Sequence, residues 1–150
     1  MIWLAAVGLA LILGALLLRW YAQRTAAALD ISGDVLYSDD DTTADGLVSD
    51  AHRLVGKPDY ILQHDGELIP VERKSRKLST AGAYEGEILQ LAAYCLLVEE
   101  HYGRPVLTGR LLYQNRSVDV PFDERLRAKL HDALRALHEA DQLAGSGKTS

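Results

Sequence analysis

PDYILQHDGELIPVERK, residues 58–74, decides the fold. Two β-rich runs, 53–64 and 67–74, flank Asp65-Gly66. Asp-Gly between such runs is the strongest short-range hairpin signal, because a type I′ turn requires positive φ at both central residues. Pro58 and Pro70 each delete a ladder donor, which suggests bulges or edge positions. Residues two apart on a strand share a face, so Glu72 and Lys74 project together, and pairing across the tight turn can bring Asp59 beside them. Two carboxylates and an ammonium then converge at one point. Hard oxygen ligands suit Mg²⁺ or Mn²⁺, and a metal-bound water next to a lysine suits hydrolysis. The same three charges also read as a cross-strand salt bridge, worth about 0.2–1 kcal/mol if exposed.

Downstream, residues 75–83 form a small, polar loop with basic Arg76 and Lys77. A helix is expected over about 84–102. Its middle, residues 88–98 (ILQLAAYCLLV), has Gln90 as its one strongly polar residue. A helix apolar on nearly every side is buried between other elements. Gln90 and Tyr94 stand at i and i+4, on one helical face, and a buried glutamine needs hydrogen-bond partners. Residues 107–114 and 116–122 read as a second strand pair around Asn115. Asp123 can cap a last helix whose Leu126, Leu130, Leu134 and Leu137 form one stripe. The class is therefore α/β, a mixed β-sheet with flanking helices.

Upstream, residues 2–18 (IWLAAVGLALILGALLL) carry no charge, which is the short end of what crosses a bilayer. Trp3 and Trp20-Tyr21 stand where interfacial aromatics would sit, and Arg19 and Arg24 follow the run with no Lys or Arg before it. The positive-inside rule then predicts one N-terminal transmembrane helix preceding the fold, a single-pass cell-membrane location, and a cytoplasmic C-terminal domain. A cleaved signal peptide would carry its charge before the apolar core instead. Residues 30–50 hold seven acids and no bases, while 51–150 hold 14 of each, so the acidity sits in a connector. The expected organisation is an anchor at 1–21, an acidic linker at 22–46, the folded domain at 47–142 and a flexible tail at 143–150. GSGKT at 145–149 lacks the earlier glycine of a phosphate-binding loop, where Gln142 stands.

Composition excludes several classes. One cysteine, Cys95, rules out a disulfide framework, a four-cysteine zinc site and an iron–sulfur cluster ligated by this chain alone. A net charge of −5 excludes a broadly cationic nucleic-acid coat.

Pro58-Asp59 followed by Glu72-Arg73-Lys74, with QLAAY at 90–94, resembles the PD-(D/E)xK nuclease superfamily. Over residues 50–120 the sequence is most similar to its RecB-like branch, and there to the CRISPR-associated exonuclease family and its stand-alone relatives, without that family's iron–sulfur cysteines. The resemblance implies a restriction-endonuclease-like core and a divalent-metal-dependent nuclease hydrolysing DNA. By the same resemblance Asp59 and Glu72 ligate the metal with help from the Arg73 carbonyl, Lys74 acts on the attacking water, and Gln90 and Tyr94 line the site and contact nucleic acid. Many members place a further ligand upstream of the aspartate, and His52 is the candidate here. The alternative is a catalytically weak or inactive nuclease fold that binds nucleic acid or a partner protein beside the membrane.

Overall fold

The computed structural model describes residues 34–38 and 46–146. Its strands are β1 (Asp34–Ser38), β2 (Leu47–Ser49), β3 (Leu54–Gly56), β4 (Tyr60–His64), β5 (Glu67–Arg73), β6 (Thr108–Leu112) and β7 (Ser117–Pro121). Its helices are α1 (Glu85–Tyr102), between β5 and β6, and α2 (Glu124–Ser146), after β7. Among the described residues the main sheet runs β1-β4-β5-β6-β7, and β2 and β3 pair in a separate ribbon.

The expected hairpin forms. Asp65 and Gly66 have φ of 49° and 83°, the two positive values a type I′ turn needs, and β4 pairs antiparallel with β5 from His64↔Glu67 to Tyr60↔Val71. The second pair, β6 and β7, is also antiparallel. Between them, β5 and β6 run parallel, which requires a crossover, and α1 is that crossover. Asp123 caps α2, its Oδ1 accepting from the Leu126 N–H at 2.9 Å.

The apolar middle of α1 is explained by its neighbours. It packs against β5 and β6, against the β2–β3 ribbon and against α2. Leu91, Cys95, Leu97 and Val98 thus share one core with Ile61, Leu68 and Leu111 of the sheet and Leu126 and Leu130 of α2. Gly109 and Gly56 let the helix come close: a Cβ on Gly109 would stand 2.7 Å from Leu91 Cγ and 2.8 Å from Cys95 Sγ.

Several expectations are corrected. Residues 53–64 are two strands, not one, and β3 leaves to pair with β2. β1 lies inside the acidic stretch and pairs with β4. Pro70 is in the middle strand of five, not at an edge. Its missing N–H is tolerated because the parallel ladder to β6 begins one residue later, at Val71. The leucine stripe of α2 leaves the core at Leu137, which is 57% exposed.

The transmembrane helix and the membrane location built on it are also corrected. Among the described residues no helix is long and apolar enough to cross a membrane. α1 carries Glu85, Glu87, Glu99 and Glu100 at its ends, and its apolar middle is spent on the protein interior. The run at 2–18, the acidic triplet at 39–41 and the last residues, 147–150, lie outside the described residues.

Candidate active site

Asp59 sits one step beyond the Tyr60↔Val71 pair, so the register carries it opposite Glu72. Its Oδ2 accepts the Arg73 backbone N–H at 2.6 Å, which ties the carboxylate to the end of β5. Lys74 continues the parallel ladder, its N–H donating to Leu112 O at 2.8 Å. Strand parity then sends Glu72 and Lys74 toward α1, while Arg73 turns to the other face and donates to Tyr60 OH at 3.1 Å.

The side chains meet in a chain of hydrogen bonds. Lys74 Nζ donates to Glu72 Oε1 at 3.1 Å and to Gln90 Oε1 at 2.9 Å. Gln90 Nε2 donates to Glu72 Oε1 at 3.0 Å and to the Tyr94 hydroxyl at 2.9 Å. One amide group therefore reads both the cation and the anion of the strand and hands the remaining bond to Tyr94. Lys74 and Glu72 are only 15% and 13% exposed. Burial raises the Glu72 carboxyl above its ordinary range; Lys74 pulls it down, the Asp59 charge pushes it further up, and burial prevails. Gln90 itself is exposed, not buried as the sequence suggested, and it is the bonds rather than the surroundings that hold it.

The structure thus brings Glu72, Lys74, Gln90 and Tyr94 together, with Asp59 close enough to act on the Glu72 charge. His52 is not among them. It follows β2, and its Nδ1 lies 2.8 Å from Glu100 Oε1, ten residues along α1 from Gln90. Cys95 packs in the core, where burial pushes its thiol up to about 12. The donor set at Asp59 and Glu72 fits a hard divalent cation. Both are carboxylates, they repel each other through space, and a Mg²⁺-class ion commonly takes one or two carboxylates and fills the rest with water and phosphate.

A second cluster, not anticipated from sequence, anchors the loop that follows Lys74. Arg76 donates to both oxygens of Glu87, at 3.1 and 2.6 Å, and stacks on the Tyr84 and Tyr113 rings with its guanidinium carbon 4.0 and 4.9 Å from their centroids. Tyr113 OH donates to Glu87 Oε2 at 2.7 Å, and the Tyr84 N–H donates to the same oxygen at 3.0 Å. The available signal was a glutamate three residues after the helix cap, half of a capping box, obscured because tyrosine holds the cap position. Burial opposes the Glu87 charge, but the bonds from Arg76, Tyr113 and the Tyr84 N–H outweigh it and bring the carboxyl from 4.5 to about 2.

A depressed acid stabilises the fold above its unfolded-state pKa, and that contribution is lost as pH falls through the folded value. Glu87 therefore contributes fully above about pH 4.5 and loses its contribution toward pH 2. In acid titrations followed by circular dichroism, Glu87→Gln is expected to be less stable than wild type at pH 7. The difference should shrink progressively below pH 4.5. A gap of constant size down to pH 2 would contradict this account.

The sequence model of the PD-(D/E)XK nuclease superfamily matches residues 6–146. The match begins inside the apolar run at 2–18 and describes the superfamily as a whole, without dividing its branches. The chain is 36% identical over 97 residues, 61% of its length, to the CRISPR-associated exonuclease Cas4/endonuclease Cas1 fusion of Leptospira interrogans. It is 30% identical over 84 residues, 56% of its length, to the CRISPR-associated exonuclease Cas4 of Francisella tularensis subsp. novicida. It spans 17% of the first relative and 41% of the second.

Proposed function

The chain belongs to the PD-(D/E)XK nuclease superfamily, and from that premise we propose that it hydrolyses DNA phosphodiester bonds with Mg²⁺ or Mn²⁺ held by Asp59 and Glu72. The observation that carries this reading is the Glu72–Lys74–Gln90–Tyr94 hydrogen-bond chain, built across strand and helix by residues of the PD…ExK and Q-x-x-x-Y patterns. When bound, the cation supplies Lewis acidity toward a phosphoryl oxygen and a more acidic water.

The protein residues do the rest. Asp59 is oriented by the Arg73 N–H, so its carboxylate is fixed before any ligand arrives. Lys74, nearly buried, presents a positive charge whose position is set by two acceptors. Such a preorganised charge is worth far more in a water-poor site than in solvent, and it opposes the negative charge that develops on phosphorus-bound oxygens. Gln90 keeps Lys74 and Glu72 in register, and Tyr94 keeps Gln90 in its rotamer. The Arg73 carbonyl is the further oxygen ligand that the superfamily resemblance implies.

One observation favours a second reading, binding of nucleic acid without cleavage: His52, the candidate further ligand, is held by Glu100 with Nδ1 2.8 Å from its Oε1 and does not join Asp59 and Glu72. The full chain incubated with end-labelled DNA in Mg²⁺, in Mn²⁺ and in EDTA separates the two. Cleavage that requires the metal supports the nuclease. DNA retained by the protein but uncut in both metals would leave only the binding module.

A further inference from the structure

The loop that follows Lys74 ends on an aromatic ring that the hydrogen-bond chain of the site does not use. Tyr84 is 58% exposed, yet one face of its ring is covered, with the Arg76 guanidinium carbon 4.0 Å from the centroid. The same guanidinium lies 4.9 Å from the ring of Tyr113, which is buried. Arg76 is fixed in turn, because both Glu87 oxygens accept from it, at 3.1 and 2.6 Å. The loop is also tied to the β6–β7 turn. The Gln114 N–H donates to Arg76 O at 3.2 Å, and the Asn115 side chain bonds both the N–H and the carbonyl of Leu78, at 2.8 and 3.3 Å. Tyr84 thus stands in water with one face seated on a braced guanidinium and the other face open.

A ring held in this way has already lost the freedom that binding would otherwise remove. Its open face matches a nucleobase, since every base presents a π-face and stacking tolerates any sequence. The place suits a strand visiting the site. Arg76 is two residues from Lys74, at most about 7 Å of chain. Tyr84 holds the cap position of α1, six residues before Gln90, about 9 Å of helical rise. Lys77 on the loop and Arg116 on the β6–β7 turn are exposed cations, while neighbouring Glu85 is engaged by Lys129 at 2.6 Å. Proteins hold single strands with this combination of an aromatic face and positive charge.

We infer that Tyr84 is a positioning residue: a nucleobase of the strand whose phosphate lies at Lys74 stacks on its open face, with Arg76 as the backing layer. This rests on the reading of Glu72 and Lys74 as the site that nucleic acid visits. It adds the residue that sets where along the strand the phosphate falls.

The test measures binding of the full chain to a labelled single-stranded oligonucleotide by fluorescence anisotropy in Ca²⁺, with the strand shown to be intact by electrophoresis. A set of strands, each lacking one base, is bound in parallel. Tyr84→Leu is expected to weaken binding of the complete strand by about 5–150-fold, the worth of one stacked base. One abasic position should weaken the wild type by a similar factor and leave Tyr84→Leu unaffected, whereas Tyr84→Phe should behave as wild type. The comparison of two strands on one variant is independent of how well that variant folds. Equal affinity of wild type and Tyr84→Leu, or a loss in Tyr84→Leu that is the same for every abasic strand, overturns the inference. Cleavage in Mg²⁺ or Mn²⁺ is scored separately: coupling without cutting keeps the stacking and removes the nuclease, and cutting without coupling does the reverse.

Discussion

Lys74→Ala is expected to lower DNA cleavage by about 10²–10³-fold, the cost of removing one preorganised electrostatic donor, while leaving Mn²⁺ binding intact. Lys74 donates to Glu72 and Gln90 and ligates nothing itself. Its removal takes away a positive charge beside the carboxylates, so metal affinity should hold or rise. Glu72→Ala should lose both metal binding and cleavage. It removes one of two carboxylates and also leaves Lys74 and Gln90 without their shared acceptor, Oε1. Calorimetric Mn²⁺ titration beside a cleavage time course reads both quantities. Undiminished cleavage by Lys74→Ala would remove the lysine from the mechanism, and metal bound normally by Glu72→Ala would remove the glutamate as ligand.

The second large effect concerns packing. Gly109→Ala is expected to destabilise the protein by about 1–3 kcal/mol, the usual cost of forcing extra volume into a packed core. The new Cβ would meet Leu91 Cγ at 2.7 Å and Cys95 Sγ at 2.8 Å, and a branch-point carbon cannot yield without moving the helix. Gly56→Ala should cost less. Its Cβ meets Leu97 Cδ1 at 2.8 Å and Tyr94 Cε1 at 2.9 Å, atoms farther out on their side chains. It should nevertheless displace Tyr94, and with it the hydroxyl that receives Gln90. Thermal melts should therefore rank Gly109→Ala as the less stable variant. At equal folded protein, Gly56→Ala should lose cleavage while remaining folded. A reversed order of Tm would show that the helix, not its side chains, gives way at Gly56.

Much of the fold was legible because local chemistry and global pairing agree. Asp65-Gly66 specifies its turn by backbone sterics, strand parity places Glu72 with Lys74, and Asp123 caps α2 through its own side chain. What was misread depended on neighbours that sequence does not name. Pro70 looked like an edge residue because its ladder partners on either side are set by the crossover, not by the strand. Gln90 looked buried because its neighbours in sequence are apolar, yet it lies at the exposed end of the helix face that meets Lys74. His52 is seven residues before Asp59, but the β2–β3 turn carries it to Glu100. An apolar run states only that water is excluded. The middle of α1 shows how completely a protein interior can supply that exclusion.

The crossover also sets when the site can come into being. Glu72 and Lys74 stand at the end of β5, while Gln90 and Tyr94 lie on the helix that must cross to β6 before the parallel ladder can close. A nascent or half-refolded chain can form the β4–β5 hairpin from local contacts alone, carrying its acids and lysine without the amide that aligns them. Alignment of Lys74 by the Gln90 amide thus waits until a residue 16 positions beyond the lysine has been synthesised and docked. For the nuclease activity proposed above, that delay is a safeguard written into chain order instead of into a separate inhibitor.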